Sequence, residues 1–331
     1  MAQSRKSLIS LEDTPYYHCI SRCVRRSYLC GYDAKNDVSY EHRKSWVEKR
    51  LLFLGSIFAI DICAYAVMSN HVHIVLCVDK KAACSWSTDN VLVQWHKMHK
   101  GTLLTRKYLK GESVSESELK TIQNTAEIYR RRLHDISWFM RNLNEYIARK
   151  ANAEDDCTGR FWEGRFRSQA LLTEKALLSC MAYVDLNPVR AKVATNLNDS
   201  LHTSINRRLR YIAKSKRIKG LIPFKTTATM NPSRTINFSL TDYCALLNSS
   251  IEMMSDNSSD SKVIKLNNRL TKLGINQAKW LQMITTFEDT FSFAAGDRES
   301  MELFKKSTNR KRIAKLESAA SCLGGLSTTF H

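Results

Sequence analysis

The alternation of apolar and polar residues in the first quarter of the chain predicts a strand, a helix and two further strands. Residues 15–24, PYYHCISRCV, are rich in apolar and aromatic side chains and predict the first strand. Apolar residues then recur at spacings of four, three and four over residues 40–58. These spacings place them on one face of a helix. Two apolar runs, 61–68 and 71–78, are separated only by Ser69 and Asn70 and predict an antiparallel hairpin.

The middle of the chain predicts helices around a polar insertion. Residues 79–125 carry mixed charge and many Lys, Gly and Ser residues, which predicts an insertion with some helix near 91–98 and no strand. An apolar stripe over 126–149 predicts one long helix. A further helix is expected to begin after the N-cap Thr173 and to end near Asn187, because Pro188 disfavours helical geometry in the residue before it.

After residue 194 the pattern changes. Residues 206–219 are strongly basic, and residues 223–237 show no clear period. Residues 241–254 and 262–291 are helical in pattern, with a break at Gly274 that fits an ordinary helical hairpin better than a helix-turn-helix. At roughly 150 residues per domain, the 331 residues fit two domains. The expected division is therefore a catalytic domain over 1–200 with its insertion at 79–125, a basic linker over 201–237, and a mainly helical C-terminal region over 238–331.

The expected fold class is α+β. The succession of strand, helix, strand and strand is half of a ferredoxin-like sandwich, in which an antiparallel sheet carries its helices on one face. The hydrophobic fraction of 43% is sufficient for a packed core of this kind.

The charge of the chain indicates a polyanionic partner. Lys and Arg number 51 against 32 Asp and Glu, a formal net charge of +19. Phosphates neutralised by such side chains release counterions and bind independently of sequence. No run approaches the roughly 18 apolar residues of a membrane span, and the first residues lack the apolar core of a signal peptide. We therefore expect a cytoplasmic, nucleoid-associated protein that binds nucleic acid and no membrane.

The ten cysteines are expected to be reduced, small hydrophobic residues. They are scattered singly and form no C-x-x-C pair, which is the spacing that structural zinc sites usually require.

Two histidines mark a candidate cation site. In the run NHVHIVL, His71 and His73 are two residues apart, so on a strand they project from the same face while Val72 and Ile74 enter the core. Two imidazoles side by side can bind a cation. A chance pair of half-exposed histidines and a metal-dependent hydrolase are alternative interpretations of the same residues.

A tyrosine and an asparagine share a helical face farther along the chain. Tyr183 and Asn187 are four residues apart in MAYVDLNPVRA. If that helix packs beside the histidine strand, a phenol, an amide oxygen and two imidazoles converge on one metal ion. The alternative is that Tyr183 is an ordinary half-buried aromatic residue.

Four motifs in this order, YYHCISRCVRR, AYAVMSNHVHIVL, GRFWEGRFRS and AYVDLNPVRA, resemble the REP-associated tyrosine transposases, a branch of the single-tyrosine HUH transposases. The resemblance covers roughly residues 14–195 and leaves the C-terminal third open. It implies a ferredoxin-like catalytic domain that binds single-stranded DNA with hairpins and cuts it with a tyrosine. Carried over position by position, it implies that His71 and His73 are metal ligands, Asn187 is the third ligand and Tyr183 is the nucleophile.

The implied chemistry agrees with these residue types. Mg²⁺ or Mn²⁺ on His71, His73 and Asn187 would polarise the scissile phosphate, and attack by Tyr183 would leave a 5′-phosphotyrosine and a free 3′-hydroxyl. Related transposases use the tyrosine in cis or in trans, so a homodimer is one of two arrangements left open. A non-catalytic hairpin-binding protein and a replication initiator or relaxase are the alternative functions. No phosphate-binding G-x-x-x-x-G-K-[ST] loop is present.

Basic residues near these motifs are the expected phosphate contacts, because three arginines crowd the block at 160–167 and seven Lys or Arg occupy residues 207–219 without an acid. The expected DNA-binding residues are Arg22, Arg160, Arg165, Arg167, Arg190, Lys192, Arg207, Arg208 and Arg210. Phe161, Trp162 and Phe166 can stack on unpaired bases, and for Trp162 and Phe166 core packing is the favoured alternative. His18 and Arg22 share one face of the first strand; we expect both to face solvent, and an approach to the candidate site is the alternative.

Overall fold

A computed structural model describes residues 8–24, 30–34, 36–212, 220–225, 235–255, 260–310, 312 and 316–324. Arg25 and Arg26, where a basic turn is expected after the first strand, lie outside these residues, as do residues 213–219 of the basic stretch and 226–234 of the expected linker.

Strands lie between residues 16 and 171 and in one short segment near the C-terminal end. They are β1 (Tyr16–Arg22), β2 (Tyr32–Asp33), β3 (Val38–Ser39), β4 (Ile60–Val67), β5 (His71–Val78), β6 (Arg167–Leu171) and β7 (Ala294–Ala295). The main sheet has five strands in the order β4-β5-β1-β6-β7, and β2 pairs with β3 in a separate two-stranded ribbon. All neighbours in the main sheet are antiparallel except β6 and β7, which run parallel.

The helices of the first part of the chain are α1 (Arg43–Gly55), α2 (Lys80–Ser85), α3 (Thr88–His96), α4 (Leu103–Leu109), α5 (Glu116–Leu133), α6 (Ile136–Glu154), α7 (Glu174–Asp185) and α8 (Asn187–Arg190). Those of the remainder are α9 (Ser204–Ile212), α10 (Leu240–Met254), α11 (Asp260–Lys272), α12 (Gln277–Thr290), α13 (Arg298–Ser307) and α14 (Leu316–Leu323). The mixed sheet with its many helices is an α+β fold, as the sequence predicts.

The hairpin of β4 and β5 is confirmed. The turn at Ser69 and Asn70 joins the two strands, and β5 begins at His71. Each strand alternates between two faces, so Ile20 of β1 and Ala66 of β4 flank His73 on one face of the sheet. Val72, Ile74 and Leu76 of β5 point to the other face and are fully buried. The strand therefore presents both of its histidines to the same side.

Helices cover both faces of the sheet, so the expectation of an antiparallel sheet with helices on one face is wrong in this detail. On the face opposite the histidines, Glu48 of α1 accepts a hydrogen bond from Tyr65, and Asn144 of α6 donates one to Ser21. On the histidine face α7 packs against β4, β5 and β6. The physical reason is that most strand residues are buried on both faces, so each face needs a covering layer.

Two helix predictions need correction. The insertion at 79–125 contains α2, α3, α4 and the first part of α5, rather than helix near 91–98 alone. The single helix expected over 126–149 is two helices, because the backbone of Asp135 is extended and its side chain caps a new helix by accepting from the N–H groups of Ser137 and Trp138. The predicted N-cap at Thr173 and the helix break at Gly274 are confirmed.

The C-terminal region packs directly on the rest of the molecule. Strand β7 extends the main sheet by pairing with β6. Helix α12 packs along α7, and Tyr243 of α10 donates a 2.9 Å hydrogen bond to the buried Asp185 at the end of α7. The last strand, α10 and α12 therefore share a core with the residues that carry the predicted site.

No helix among the described residues combines the length and the apolar character needed to cross a lipid bilayer.

Candidate active site

The structure brings together His71, His73 and Tyr183, which lie far apart in the sequence. The imidazole centroids of His71 and His73 are 4.7 Å apart. The ring of Tyr183, on α7, stands edge-on to His73 at 5.6 Å between centroids. His73 is 1% exposed and Tyr183 is 7% exposed, so the three rings form a compact group between the sheet and α7.

His18 is a further member of this group, and its expected exposure to solvent is wrong. Its side chain is completely buried, because Phe287 of α12 and Tyr183 pack edge-on against its ring. Nε2 of His18 lies 3.0 Å from Nδ1 of His73, and Nδ1 of His18 lies 2.7 Å from Oε1 of Gln169.

Gln169 fixes which nitrogens of these histidines carry protons. Its side-chain NH₂ group donates to the main-chain carbonyls of Phe291 and Ser292, both at 2.9 Å, so its Oε1 must accept from Nδ1 of His18. Burial lowers the pKa of both His18 and His73, which are therefore neutral. Nε2 of His18 then accepts from Nδ1 of His73, which leaves a lone pair on Nε2 of His73.

Nε2 of His73 is buried and has no hydrogen-bond partner within the part of the chain that the structure describes. His71 also carries its proton on Nδ1, because that nitrogen contacts the side-chain oxygen of Asn70. Its Nε2 is therefore an acceptor. Burial, assisted by the nearby positive charge of Arg22, lowers the pKa of His71 to about 4. Both histidines of the pair are thus neutral bases, the form in which imidazole binds metal ions.

The hydroxyl of Tyr183 is held by an acidic residue from α12. It donates a 3.2 Å hydrogen bond to Oε1 of Glu288, and that oxygen lies 3.7 Å from Nε2 of His73. The guanidinium of Arg190 lies over the tyrosine ring at 3.8 Å and donates to the main-chain carbonyls of Tyr183 and Ile284. Burial, with the negative charge of Glu288, raises the pKa of the Tyr183 phenol well above its ordinary range.

Glu288 and Gln169 belong to the site but carry no sequence signal, and for His18 an approach to the site is only the alternative to the expected exposure. Glu288 lies in the C-terminal region, next to Phe287 in an ordinary helical pattern, and nothing in its sequence context marks it. Gln169 lies in β6, whose sequence, RSQAL, begins with three polar residues and does not predict a strand. His18 carried a weak signal, because it shares a strand face with Arg22.

Asn187 is the predicted site residue that the structure does not join to the others. It is buried at the start of α8, immediately after α7. Within the described residues, no hydrogen bond or ring contact connects its side chain with His71 or His73. Its role as a third ligand stays a prediction.

The atoms available at the site to ligate a metal fit a divalent cation in part. Two neutral imidazoles with free lone pairs, one of them on a buried nitrogen that has no hydrogen-bond partner among the described residues, suit Mn²⁺ or Mg²⁺ together with oxygen ligands. Over the part of the chain that the structure describes, no three His, Cys, Asp or Glu side chains are already gathered into a complete metal site.

The residues predicted to contact DNA fall into three groups. Arg22, Arg160, Arg165, Arg167, Lys192 and Arg210 are exposed. Arg190 and Arg207 are half-buried, with Arg190 held at Tyr183 and Arg207 paired with Glu48 at 3.5 Å. Arg208 is 5% exposed and donates to the carbonyls of Cys63 and Ile222, so the prediction that it contacts phosphate is wrong.

The aromatic residues of the block at 160–167 pack inward. Phe161 and Phe166 are buried, and the indole N–H of Trp162 donates to the main-chain carbonyl of Asn144. Of the two interpretations, the structure favours core packing. The exposed arginines of the block lie on the surface around them.

Comparison with known proteins gives one distant structural likeness. No protein-family model matches the chain, and no curated protein matches it. Among solved structures, the chain is similar to one described as "Structure of the REP associates tyrosine transposase bound to a REP hairpin". The identity is 13% over 72% of this chain and 100% of that chain, with a TM-score of 0.37. A likeness of this size indicates a distant structural relationship at most.

Proposed function

We propose that the chain is a metal-dependent tyrosine transposase, which cleaves and rejoins single-stranded, hairpin-containing DNA. The observation that carries the proposal is the contact of His73 with Tyr183, 5.6 Å between ring centroids, in a group that also holds His71. The proposal includes a ferredoxin-like catalytic core. Its support is the antiparallel order β4-β5-β1-β6, with α1 and α6 together on one face.

In the proposed reaction, the phenol oxygen of Tyr183 attacks the scissile phosphorus. The new bond joins this oxygen to phosphorus, the bond from phosphorus to the 3′-oxygen breaks, and the phenolic proton is transferred overall to the departing 3′-oxygen. The products are a 5′-phosphotyrosine and a free 3′-hydroxyl. Attack by a 3′-hydroxyl on the phosphotyrosine reverses the step and rejoins strands without ATP.

The residues around Tyr183 have assignable parts in this chemistry. His71 and His73 would hold a divalent cation, which when bound polarises the phosphate and stabilises the charge that develops on it. Arg190 keeps a positive charge over the tyrosine ring and so favours the ionised phenol. The exposed Arg22, whose neighbour across the β1–β5 pair is His71, would meet a DNA phosphate.

The burial of Tyr183 favours one alternative, a hairpin-binding protein that does not cut DNA. The phenol is covered, and burial together with Glu288 raises its pKa, which opposes formation of the phenolate. Such a protein would bind DNA hairpins through its surface arginines, and neither metal ion nor Tyr183 would be required.

A covalent-adduct assay separates the two functions. The wild-type protein is incubated with Mn²⁺ and an end-labelled single-stranded DNA hairpin, and a labelled protein band is sought on a denaturing gel. We expect an adduct that chelation of the metal and the Tyr183→Phe substitution both abolish. Tyr146→Phe is the matched control, because Tyr146 is an exposed tyrosine on α6, on the opposite side of the sheet. An adduct that survives Tyr183→Phe would refute the proposed nucleophile, and hairpin binding without any adduct would support the alternative.

A further inference from the structure

We infer that Glu288, from the C-terminal helix α12, is the oxygen ligand that completes the cation site of His71 and His73. This inference rests on the proposed function, since it deepens the metal site of that function. It assigns to the C-terminal region a part in the chemistry, which neither the sequence motifs nor the resemblance provides.

The first support is the position of its carboxylate. Oε1 of Glu288 lies 3.7 Å from Nε2 of His73, too far for a hydrogen bond. Two ligand atoms that each lie about 2.1 Å from one ion can be up to about 4.2 Å apart. The two atoms therefore already have a separation that one cation can bridge.

The second support is that both atoms are acceptors. The hydrogen bonds from Gln169 through His18 direct the Nδ1 proton of His73 toward His18, and its buried Nε2 has no hydrogen-bond partner among the described residues. The carboxylate oxygen also carries lone pairs. Two acceptors that face each other without a proton between them repel, and a cation placed between them satisfies both.

The third support is charge. The expected ligands His71, His73 and Asn187 are two imidazoles and an amide, which bring no negative charge, and the guanidinium groups of Arg22 and Arg190 lie nearby. Glu288 places an acidic group beside this pair, 3.7 Å from Nε2 of His73. A dication needs a compensating negative charge at such a position, and a carboxylate is the oxygen ligand that Mg²⁺ and Mn²⁺ prefer.

The fourth support is that neighbouring side chains hold the carboxylate in place. Oε2 of Glu288 pairs with the guanidinium of Arg167 at 3.2 Å, and the hydroxyl of Tyr183 donates to Oε1. The side chain therefore directs one oxygen toward His73 and bridges it to the proposed nucleophile. His71, whose Nε2 is also an acceptor, supplies the third ligand from the same strand face.

The test measures binding of Mn²⁺ to the full-length protein without DNA, by the loss of the EPR signal of the free ion and by the shift in melting temperature that Mn²⁺ produces. We expect Glu288→Gln to weaken Mn²⁺ binding at least about tenfold. The substitution keeps the size of the side chain and its ability to accept from Tyr183. His73→Ala should weaken binding similarly, and Asp289→Asn, which removes the neighbouring charge on the same helix, should leave it unchanged.

The outcomes distinguish this inference from the proposed function. If His73→Ala weakens Mn²⁺ binding and Glu288→Gln does not, the role of Glu288 is refuted and the proposed function stands. The same holds if Asn187→Ala weakens binding in place of Glu288→Gln. If the wild-type protein shows no saturable Mn²⁺ binding, both are refuted. Because the melting-temperature shift compares each variant with its own metal-free form, a destabilised but folded variant still reports on binding.

Discussion

Arg208 is a buried cation that ties three segments of the chain together. Its guanidinium donates to the main-chain carbonyl of Cys63 at 2.9 Å and to that of Ile222 at 2.9 Å, and it lies over the ring of Phe224. The helix that carries it, α9, therefore joins the edge strand β4 to residues 221–224. A run of basic residues suggests a solvated or DNA-binding face, yet one of its arginines, Arg208, is buried and donates to main-chain carbonyls in the interior.

Replacement of Arg208 should therefore lower stability rather than DNA affinity. In Arg208→Ala, two buried carbonyls lose their donors and the space of the side chain is vacated, so the free energy of unfolding should fall by about 3 kcal/mol. Arg210→Ala, an exposed arginine on the same helix, should change it by less than about 0.5 kcal/mol. Urea denaturation followed by circular dichroism measures both. Equal effects of the two substitutions would contradict the structural role of Arg208.

Among single residues, those of the site that follow a local pattern could be predicted from the sequence. His71 and His73 are recognisable because alternation along a strand puts them on one face, and Tyr183 because it lies in a distinctive motif. Glu288 and Gln169 could not be predicted, because their roles depend on which helix and strand lie next to β1 and α7. Contacts between distant segments leave no trace in local periodicity.

Elements with strong periodicity were also predictable, and those defined by tertiary contacts were not. The hairpin of β4 and β5 follows from two apolar runs around a two-residue turn, and its second strand, His71–Val78, is predicted to the residue. Strand β6 escapes prediction because Ser168 and Gln169 are polar but buried. The division between α5 and α6 escapes prediction because the apolar stripe continues across it.

The division between α5 and α6 depends on one capping side chain. Asp135 accepts from the N–H groups of Ser137 and Trp138, so Asp135→Ala should cost about 1 kcal/mol of unfolding free energy. Asp135→Ser, which retains a capping oxygen, should recover most of this loss. Thermal or urea unfolding of the two variants side by side checks the prediction. A loss of the same size in both variants would show that the cap is not responsible.

At the scale of the whole molecule, the C-terminal region is part of the same packed body as the candidate site. Phe287 and Phe291 of this region are fully buried, with Phe287 packed on Tyr183 and on Phe291. Strand β7 pairs with β6, and Tyr243 reaches Asp185. A break in composition near residue 200 suggests a domain boundary, but local composition does not determine which helices pack together.

Removal of the C-terminal region should therefore loosen the site itself. In a chain that ends at residue 237, α7 and β6 lose the helix and the strand that cover them, so their amide hydrogens should exchange at least about tenfold faster. The strands β4 and β5, at the other edge of the sheet, should change less. Hydrogen exchange followed by mass spectrometry resolves these segments. Unchanged protection of α7 and β6 would show that the C-terminal region is an independent domain.

The orientation of the Gln169 side-chain amide constrains chimeric proteins in which the C-terminal region is replaced by that of another protein. Its NH₂ group donates to two main-chain carbonyls, those of Phe291 and Ser292. The resulting orientation of the amide sets the direction of the protons on His18 and His73. A transplanted C-terminal segment that placed these two carbonyls elsewhere would let the amide turn over. The lone pair of His73 would then lie on Nδ1, facing His18, and the proton on Nε2 would face Glu288, although every residue of the four motifs had been kept.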